Sequence, residues 1–137
     1  MSTTAWAHLP NAKHIDRILA DLKKNPKKWS IANNAAGFVS PDDARDAAWD
    51  DAINAIGEYR RSDAYDAAWH IVWDDKRDTI WGGVTRAILA LVAWDDCGYL
   101  MDEKPEDVQM LALLGNKAAV LLYPVCVILQ KESVKQL

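Results

Sequence analysis

The segment IWGGVTRAILALVAW, residues 80–94, is the part of the chain from which the architecture is predicted. Apart from Thr85 and Arg86, every residue in it is apolar or glycine. A helix that is apolar on all sides has to be surrounded by other elements. The sequence therefore predicts a central helix over Ile80–Met101, with the remaining elements packed around it.

Helix start and stop signals lie on both sides of this segment. Ser40-Pro41-Asp42-Asp43 has a capping serine, a proline at the first helical position and two carboxylates in the first turn. The hairpin turn dipeptides Asn-Gly and Asp-Gly are absent, and the β-branched stretch Leu121–Leu129 has no partner strand. The predicted fold is all-α, a compact bundle of five to six helices. Besides the central one, the predicted helices cover residues 11–24, 40–60, 64–76, 105–115 and 117–131, the last kinked or broken at Pro124.

Length and composition fit one helical domain over residues 1–137. Half of the residues are apolar, 26% are charged, and glycine and proline are few, which excludes a disordered or collagen-like chain. Within the domain we expect a loose N-terminal end over 1–8, a repeat region over 40–101 and a C-terminal helical pair over 104–131.

The repeat region takes its name from Trp-Asp-Asp, which occurs three times, each copy on a separate predicted helix. The tryptophans are expected to fill helix junctions. The second aspartate of each copy is expected to be partly buried and bonded to a helix N-terminus, an indole N–H or an arginine such as Arg45 or Arg86. The residues expected to have these structural roles are Trp49, Asp51, Trp73, Asp75, Trp94 and Asp96.

One helix carries a stripe of polar residues that suits a partner-binding face. Asp66, His70 and Asp74 follow one another at intervals of four, and Asp78 continues the charge. These four residues are predicted to steer a basic protein partner. His70 could alternatively be a base oriented by a carboxylate, although a half-exposed histidine in a charged stripe is the commoner case. Residues 40–107 carry 17 acidic and seven basic side chains, which argues against general nucleic-acid binding.

The sequence leaves two other functions open. A nucleotide-sequestering protein would stack bases on its tryptophans and meet phosphate with Arg60, Arg61 or Arg86. A Mg²⁺-dependent nucleotide hydrolase would use the acidic clusters Asp42–Asp46 and Asp74–Asp78. The sequence predicts no catalytic residue, no metal site and no cofactor, since it has neither a nucleophile arrangement nor a glycine-rich phosphate loop.

Cysteine usage and hydropathy indicate a cytoplasmic protein without membrane contact. Cys97 and Cys126 lie in apolar helical surroundings and are predicted to be buried free thiols. The apolar stretch Ala118–Leu129 is shorter than the roughly 20 residues that a membrane span needs. The N-terminus lacks the pattern of a signal peptide.

Several segments of the chain resemble phage and prophage proteins that carry Ala-Trp-Asp helical repeats and have no established activity. The resemblance lies in the DAAW and AWDD repeats, in AWDDCGYL (93–100), in LALLG (111–115) with the following Pro124, and in NAKHIDR (11–17). It implies a viral origin and a helical scaffold. We therefore expect a non-enzymatic binding protein, a counter-defence inhibitor acting on a host protein in the host cytoplasm, with its oligomeric state open.

Overall fold

The computed structural model describes residues 5–25, 42–75 and 81–135, and the side chains of 5–25, 43–72 and 84–129. These ranges contain six α-helices and one 3₁₀ helix, and no strand. The predicted all-α class is thereby confirmed for this part of the chain. The α-helices are α1 (Ala12–Lys24), α2 (Asp42–Glu58), α3 (Ser62–Asp75), α4 (Trp81–Ala93), α5 (Pro105–Leu113) and α6 (Lys117–Lys135), and the 3₁₀ helix is Gly98–Asp102.

Helix α4 supplies a large part of the buried surface. Its side chains from Ala87 to Ala93 are all buried, and it contacts α1, α2, α3 and α6. Helix α6 packs against α4 and also against α5, α2 and the 3₁₀ helix. None of the helices in the described ranges has both the length and the hydropathy needed to cross a bilayer.

The last helix is predicted to be kinked or broken at Pro124, and of these alternatives the break is wrong. Helix α6 continues through Pro124, which is buried inside it. Proline lacks the N–H that would bond the carbonyl four residues earlier, so the helix loses one backbone hydrogen bond there. The buried neighbours Leu121, Leu122 and Val125 hold the segment helical despite that loss, because their apolar burial is worth more than one hydrogen bond.

The predicted extent of the central helix is also wrong at its C-terminal end. Helix α4 ends at Ala93, and a turn leads into the 3₁₀ helix in place of the continuous helix to Met101 that the sequence predicts. The Asn11 side-chain amide donates to the carbonyl oxygens of Leu91 (3.0 Å) and Trp94 (2.8 Å). This distant side chain satisfies carbonyls that the next helical turn would otherwise have bonded.

The N-terminal end is more ordered than predicted. Residues 5–8 form a turn in which Trp6 is buried, and the Trp6 indole N–H donates to an Asp16 carboxylate oxygen at 2.8 Å. The predicted loose end over 1–8 is therefore wrong for residues 5–8, while residues 1–4 lie outside the described part. Burial of one indole and one hydrogen bond on α1 accounts for the order.

Candidate functional site

An open cleft of about 470 Å³ lies where the C-terminal end of α4, the 3₁₀ helix and the N-terminus of α6 meet. Helix α2 contributes one residue to it. The side chains that give the cleft its chemistry are Asp51, Trp94, Asp96, Tyr99, Asn116 and Lys117. Two of the three Trp-Asp-Asp segments therefore contribute to one site.

The Asp51 carboxylate and the Lys117 ammonium form an ion pair across the cleft. Both side chains are about half exposed. The predicted partners of Asp51 are a helix N-terminus, an indole N–H or an arginine, whereas the structure pairs it with the side chain of a lysine at the start of α6. Lys117 is the first residue of α6, and the helix dipole disfavours a cation in that turn. The Asp51 carboxylate compensates for this unfavourable position.

The second carboxylate of the cleft belongs to Asp96, which is exposed. The prediction that Asp96 is partly buried is wrong, because α4 ends three residues earlier and Asp96 falls in the following turn. No hydrogen bond or ion pair engages this carboxylate within the described residues. The cleft thus has one carboxylate shared with Lys117 and one that faces solvent.

Aromatic side chains form another wall of the cleft. Trp94 is partly buried and packs against the core, whereas Tyr99 is 55% exposed. Cys97 also lines the cleft, but it is buried and its thiol donates to the Trp94 carbonyl oxygen at 3.2 Å. Burial, and next the nearby Asp96, raise the pKa of the Cys97 thiol to about 12. A thiol of such high pKa is a poor nucleophile at neutral pH.

The turn that carries Trp94 and Asp96 is fixed from two sides. On one side, Asn11 bonds the end of α4, and Gly98 lies so close that an added Cβ would overlap the Asn11 side-chain oxygen. On the other side, the Arg61 guanidinium bonds both carboxylate oxygens of Asp95, at 2.7 and 3.1 Å, and also the Val92 carbonyl oxygen at 2.9 Å. The hydrogen bond to Asp95 raises the pKa of Arg61. These contacts hold the cleft wall in place.

An exposed apolar patch lies beside the cleft. Met110, Leu113 and Leu114, here called the α5 patch, are 59%, 60% and 75% exposed. Their spacing places them on one face of α5 and its C-terminal turn, while Val108 and Ala112 face the core. The α5 patch ends next to Gly115, which is already a lining residue of the cleft.

The predicted partner face is described only in part. Asp66 and His70 lie on α3 and are exposed, and the His70 ring meets the Trp69 ring edge-on at a centroid distance of 5.2 Å. The side chain of Asp74 and the whole of Asp78 lie outside the described part. Whether the four predicted residues form one stripe therefore stays a prediction.

The Trp-Asp-Asp segments occupy different positions on their helices. The first lies within α2, the second forms the last three residues of α3, and the third follows the end of α4. Trp49 and Trp94 are partly buried and pack against the core. The side chains of Trp73 and Asp75 lie outside the described part.

The structure brings together fewer of the residues proposed for nucleotide sequestration and for Mg²⁺-dependent hydrolysis. Arg61 is engaged by Asp95, and Arg86 is partly buried. Burial, and next the nearby Arg45, lower the pKa of Arg86. Asp43 and Asp46 are exposed, while the side chains of Asp42, Asp74 and Asp75 and the whole of residues 76–78 lie outside the described part. Within residues 5–25, 43–72 and 84–129, no three histidine, cysteine or acidic side chains are grouped so as to hold a metal ion.

Sequence reasoning missed Tyr99, Lys117 and the α5 patch. A signal for Lys117 was present, since a lysine directly after the capping Asn116 opposes the helix dipole. The α5 patch gave no such signal, because the LALL run is apolar on every face and only packing shows which leucines stay in water.

Comparison of the chain with protein-family models, curated proteins and solved structures finds no match. The function therefore has to be inferred from the geometry of the chain itself.

Proposed function

We propose that the chain is a non-enzymatic binding protein that docks a segment of another protein, apolar and basic in character, on the α5 patch. The observation that carries this proposal is the exposure of Met110, Leu113 and Leu114 side by side on one helix face. Scattered exposed apolar residues are normal, but adjacent ones rimmed by polar residues are typical of protein–protein contacts.

The charges around the α5 patch favour a basic partner. Residues 94–107 contain six acidic side chains and one lysine. Of these, Asp95 is paired with Arg61 and Asp102 with Arg17. Asp96, Glu106 and Asp107 are exposed, and Glu106 lies one turn before Met110 on the same helix face. Such an arrangement steers a cationic segment towards the apolar residues.

The α5 patch supports a protein interface better than the stripe predicted on α3. Among the described side chains on α3, the large apolar one that is exposed is Ile71, at 38%. The centre of a protein interface is apolar and is depleted in charged residues, which occupy its rim. An acidic stripe without such a centre is better suited to steering a partner than to holding it.

The finer parts of the predicted fold belong to the same proposal. Helix α4 would be the central support, since it packs on four other α-helices, and the Trp-Asp-Asp segments would be scaffold parts of a degenerate repeat. The viral origin and the inhibition of a host factor rest on the resemblance of segments such as AWDDCGYL. They give the setting in which a small binding protein of this kind would act.

The proposal is tested by selecting random displayed peptides on the immobilised protein. We expect the selected peptides to combine apolar residues with arginine or lysine, because both the α5 patch and its acidic rim contribute to binding. The double variant Leu113→Ser/Leu114→Ser should lose these peptides. Its matched control is Ile53→Ser, which removes an exposed apolar residue from α2 and should retain them.

Two outcomes would contradict the proposal. If the selected peptides show no excess of arginine or lysine, the acidic rim is not part of the interface. Peptides that bind the double variant as well as they bind the unchanged protein would place the docking surface elsewhere, with the α3 stripe as the next surface to test. Circular dichroism of each variant shows that the loss of binding is not a loss of fold.

A further inference from the structure

The cleft presents two kinds of surface to a ligand, carboxylates and aromatic rings. Asp51 and Asp96 line it together with Trp94 and Tyr99. Carboxylates bind guanidinium and ammonium groups through charge-assisted hydrogen bonds, and an aromatic face attracts the same cations. We infer that the cleft takes up the cationic head of one arginine or lysine side chain of the docked partner, an inference that rests on the proposed function.

The charge balance of the cleft selects a cation over an anion. Its lining contains two carboxylates and one ammonium, and the ammonium of Lys117 is already held by Asp51. The remaining carboxylate, on Asp96, is exposed and forms no ion pair or hydrogen bond within the described residues. A phosphate entering this space would be repelled by Asp96, whereas a guanidinium would supply the missing counter-charge.

The shape and the apolar part of the lining suit a long side chain. The partly exposed Trp94 and Ala118 contribute apolar surface against which a methylene stem can pack while its charged head stays near solvent. The cleft volume of about 470 Å³ exceeds the roughly 300 Å³ at which pockets for small ligands begin. The α5 patch is adjacent at Gly115, so a segment docked there could send one residue into the cleft.

Lys117 has a definite role in this arrangement, as the internal competitor for Asp51. An arriving cation shares Asp51 with Lys117 or displaces the lysine from it. Because the α6 dipole already disfavours a cation at the position of Lys117, its displacement is easier than that of a lysine elsewhere. Replacing Lys117 by a neutral residue of similar length should therefore strengthen the binding of a cation and weaken the binding of an anion.

The inference is tested by ¹⁵N NMR titration of the full chain with three small probes. These are Nα-acetyl-arginine amide, its neutral isostere Nα-acetyl-citrulline amide, and adenosine 5′-monophosphate. We expect the arginine probe to shift the Trp94 indole signal and the backbone amides of Tyr99, Gly115 and Ala118 in a saturable manner. The citrulline probe should bind at least about tenfold more weakly, because it lacks the charge.

Three variants distinguish a cation site from a cleft that binds anions or apolar groups. Asp96→Asn should weaken binding of the arginine probe at least about fivefold, and Lys117→Met should strengthen it. Asp50→Asn is the matched control, since Asp50 is exposed on α2 next to Asp51 but does not line the cleft, and it should leave binding unchanged. The amide spectrum of each variant reports directly whether the fold is intact.

The outcomes that overturn the inference differ from those that overturn the proposed function. Equal binding of the citrulline probe, preferential binding of the nucleotide, or weaker binding of the arginine probe by Lys117→Met would each exclude a cation site. So would the absence of shifts with the arginine probe. If selected peptides still depended on Leu113 and Leu114 in these cases, the docking function would stand without the cleft.

Discussion

At the scale of single residues, the N-terminal turn controls the position of the cleft wall. The Asn11 amide is the donor to two carbonyl oxygens at the end of α4, and it is buried. His14 packs on Gly98 from the same helix face, and Arg17 pairs with Asp102 at 3.4 Å. Asn11, His14 and Arg17 thus each contact or flank the segment that follows α4.

Gly98→Ala should destabilise the protein by about 1–3 kcal/mol. The new Cβ would overlap the Asn11 side-chain oxygen and lie 2.9 Å from His14 Cδ2, and Asn11 cannot turn away without losing both of its hydrogen bonds. The free energy of unfolding in urea measures the effect.

The matched control for this variant is Gly57→Ala. A Cβ at Gly57 has nothing within 4 Å, and the residue lies in α2, where alanine is the better helix former by about 1 kcal/mol. This control should be neutral or stabilising. Equal stability changes in the two variants would show that the contact between Gly98 and Asn11 does not constrain the turn.

At the scale of helices, two termini use the same hydrogen-bond pattern with different residues. At the end of α2, the Arg61 N–H bonds the Ile56 carbonyl oxygen at 2.7 Å, and at the end of α5 the Asn116 N–H bonds that of Leu111 at 2.9 Å. In each case the preceding residue has a positive φ, 58° at Arg60 and 95° at Gly115. Glycine adopts this conformation without strain, whereas arginine does not.

Arg60→Gly should therefore stabilise the chain by about 1 kcal/mol, and Gly115→Ala should destabilise it by a similar amount. Thermal unfolding of both variants measures these opposite signs. If Arg60→Gly lowered the melting temperature, the Arg60 side chain would have a stabilising contact that outweighs its backbone strain.

The sequence predicted the existence of the helices better than their ends. Capping residues and apolar periodicity are local, so the helices over 105–115 and 117–131 were predicted close to α5 and α6. The end of α4 depends on Asn11, which is about 80 residues away in the chain, and local patterns contain no information on such a contact. The cleft was missed for the same reason, since Asp51 and Lys117 meet only through packing.

At the scale of the whole molecule, several ionisable groups are buried and tie stability to pH. Burial lowers the pKa of His14 although Asp102 opposes the effect, and Lys13 and Arg17 lower it further. Burial raises the pKa of the Cys126 thiol and of the Tyr65 hydroxyl to about 12. In each case the folded state disfavours the charged form of the group. The free energy of unfolding therefore falls at pH values at which the unfolded chain carries that charge.

The free energy of unfolding should fall as pH falls from 7.5 to 5.5. The unfolded chain, with a histidine pKa near 6.5, takes up a proton before the folded chain does, because the pKa of His14 is lowered on folding. The stabilising contribution is complete above about pH 7 and is lost as pH falls through the unfolded pKa. Urea unfolding at a series of pH values measures this slope.

His14→Gln should flatten that slope, and the exposed His8→Gln is the control that should keep it. An unchanged slope in His14→Gln would assign the pH dependence to other groups.

At the alkaline end, stability should decline above about pH 9, as the thiols and Tyr65 ionise in the unfolded chain first.

The most direct test of the proposed docking surface is to map where a basic, apolar peptide binds. The probe is a helical peptide of leucine and lysine with its leucines on one face, titrated into the ¹⁵N-labelled chain. We expect saturable shifts confined to the α5 patch and the cleft, weakening as salt is raised. Shifts centred on Asp66 and His70 of α3, or no saturable shifts on any surface, would contradict the proposal that this protein binds its partner at the α5 patch.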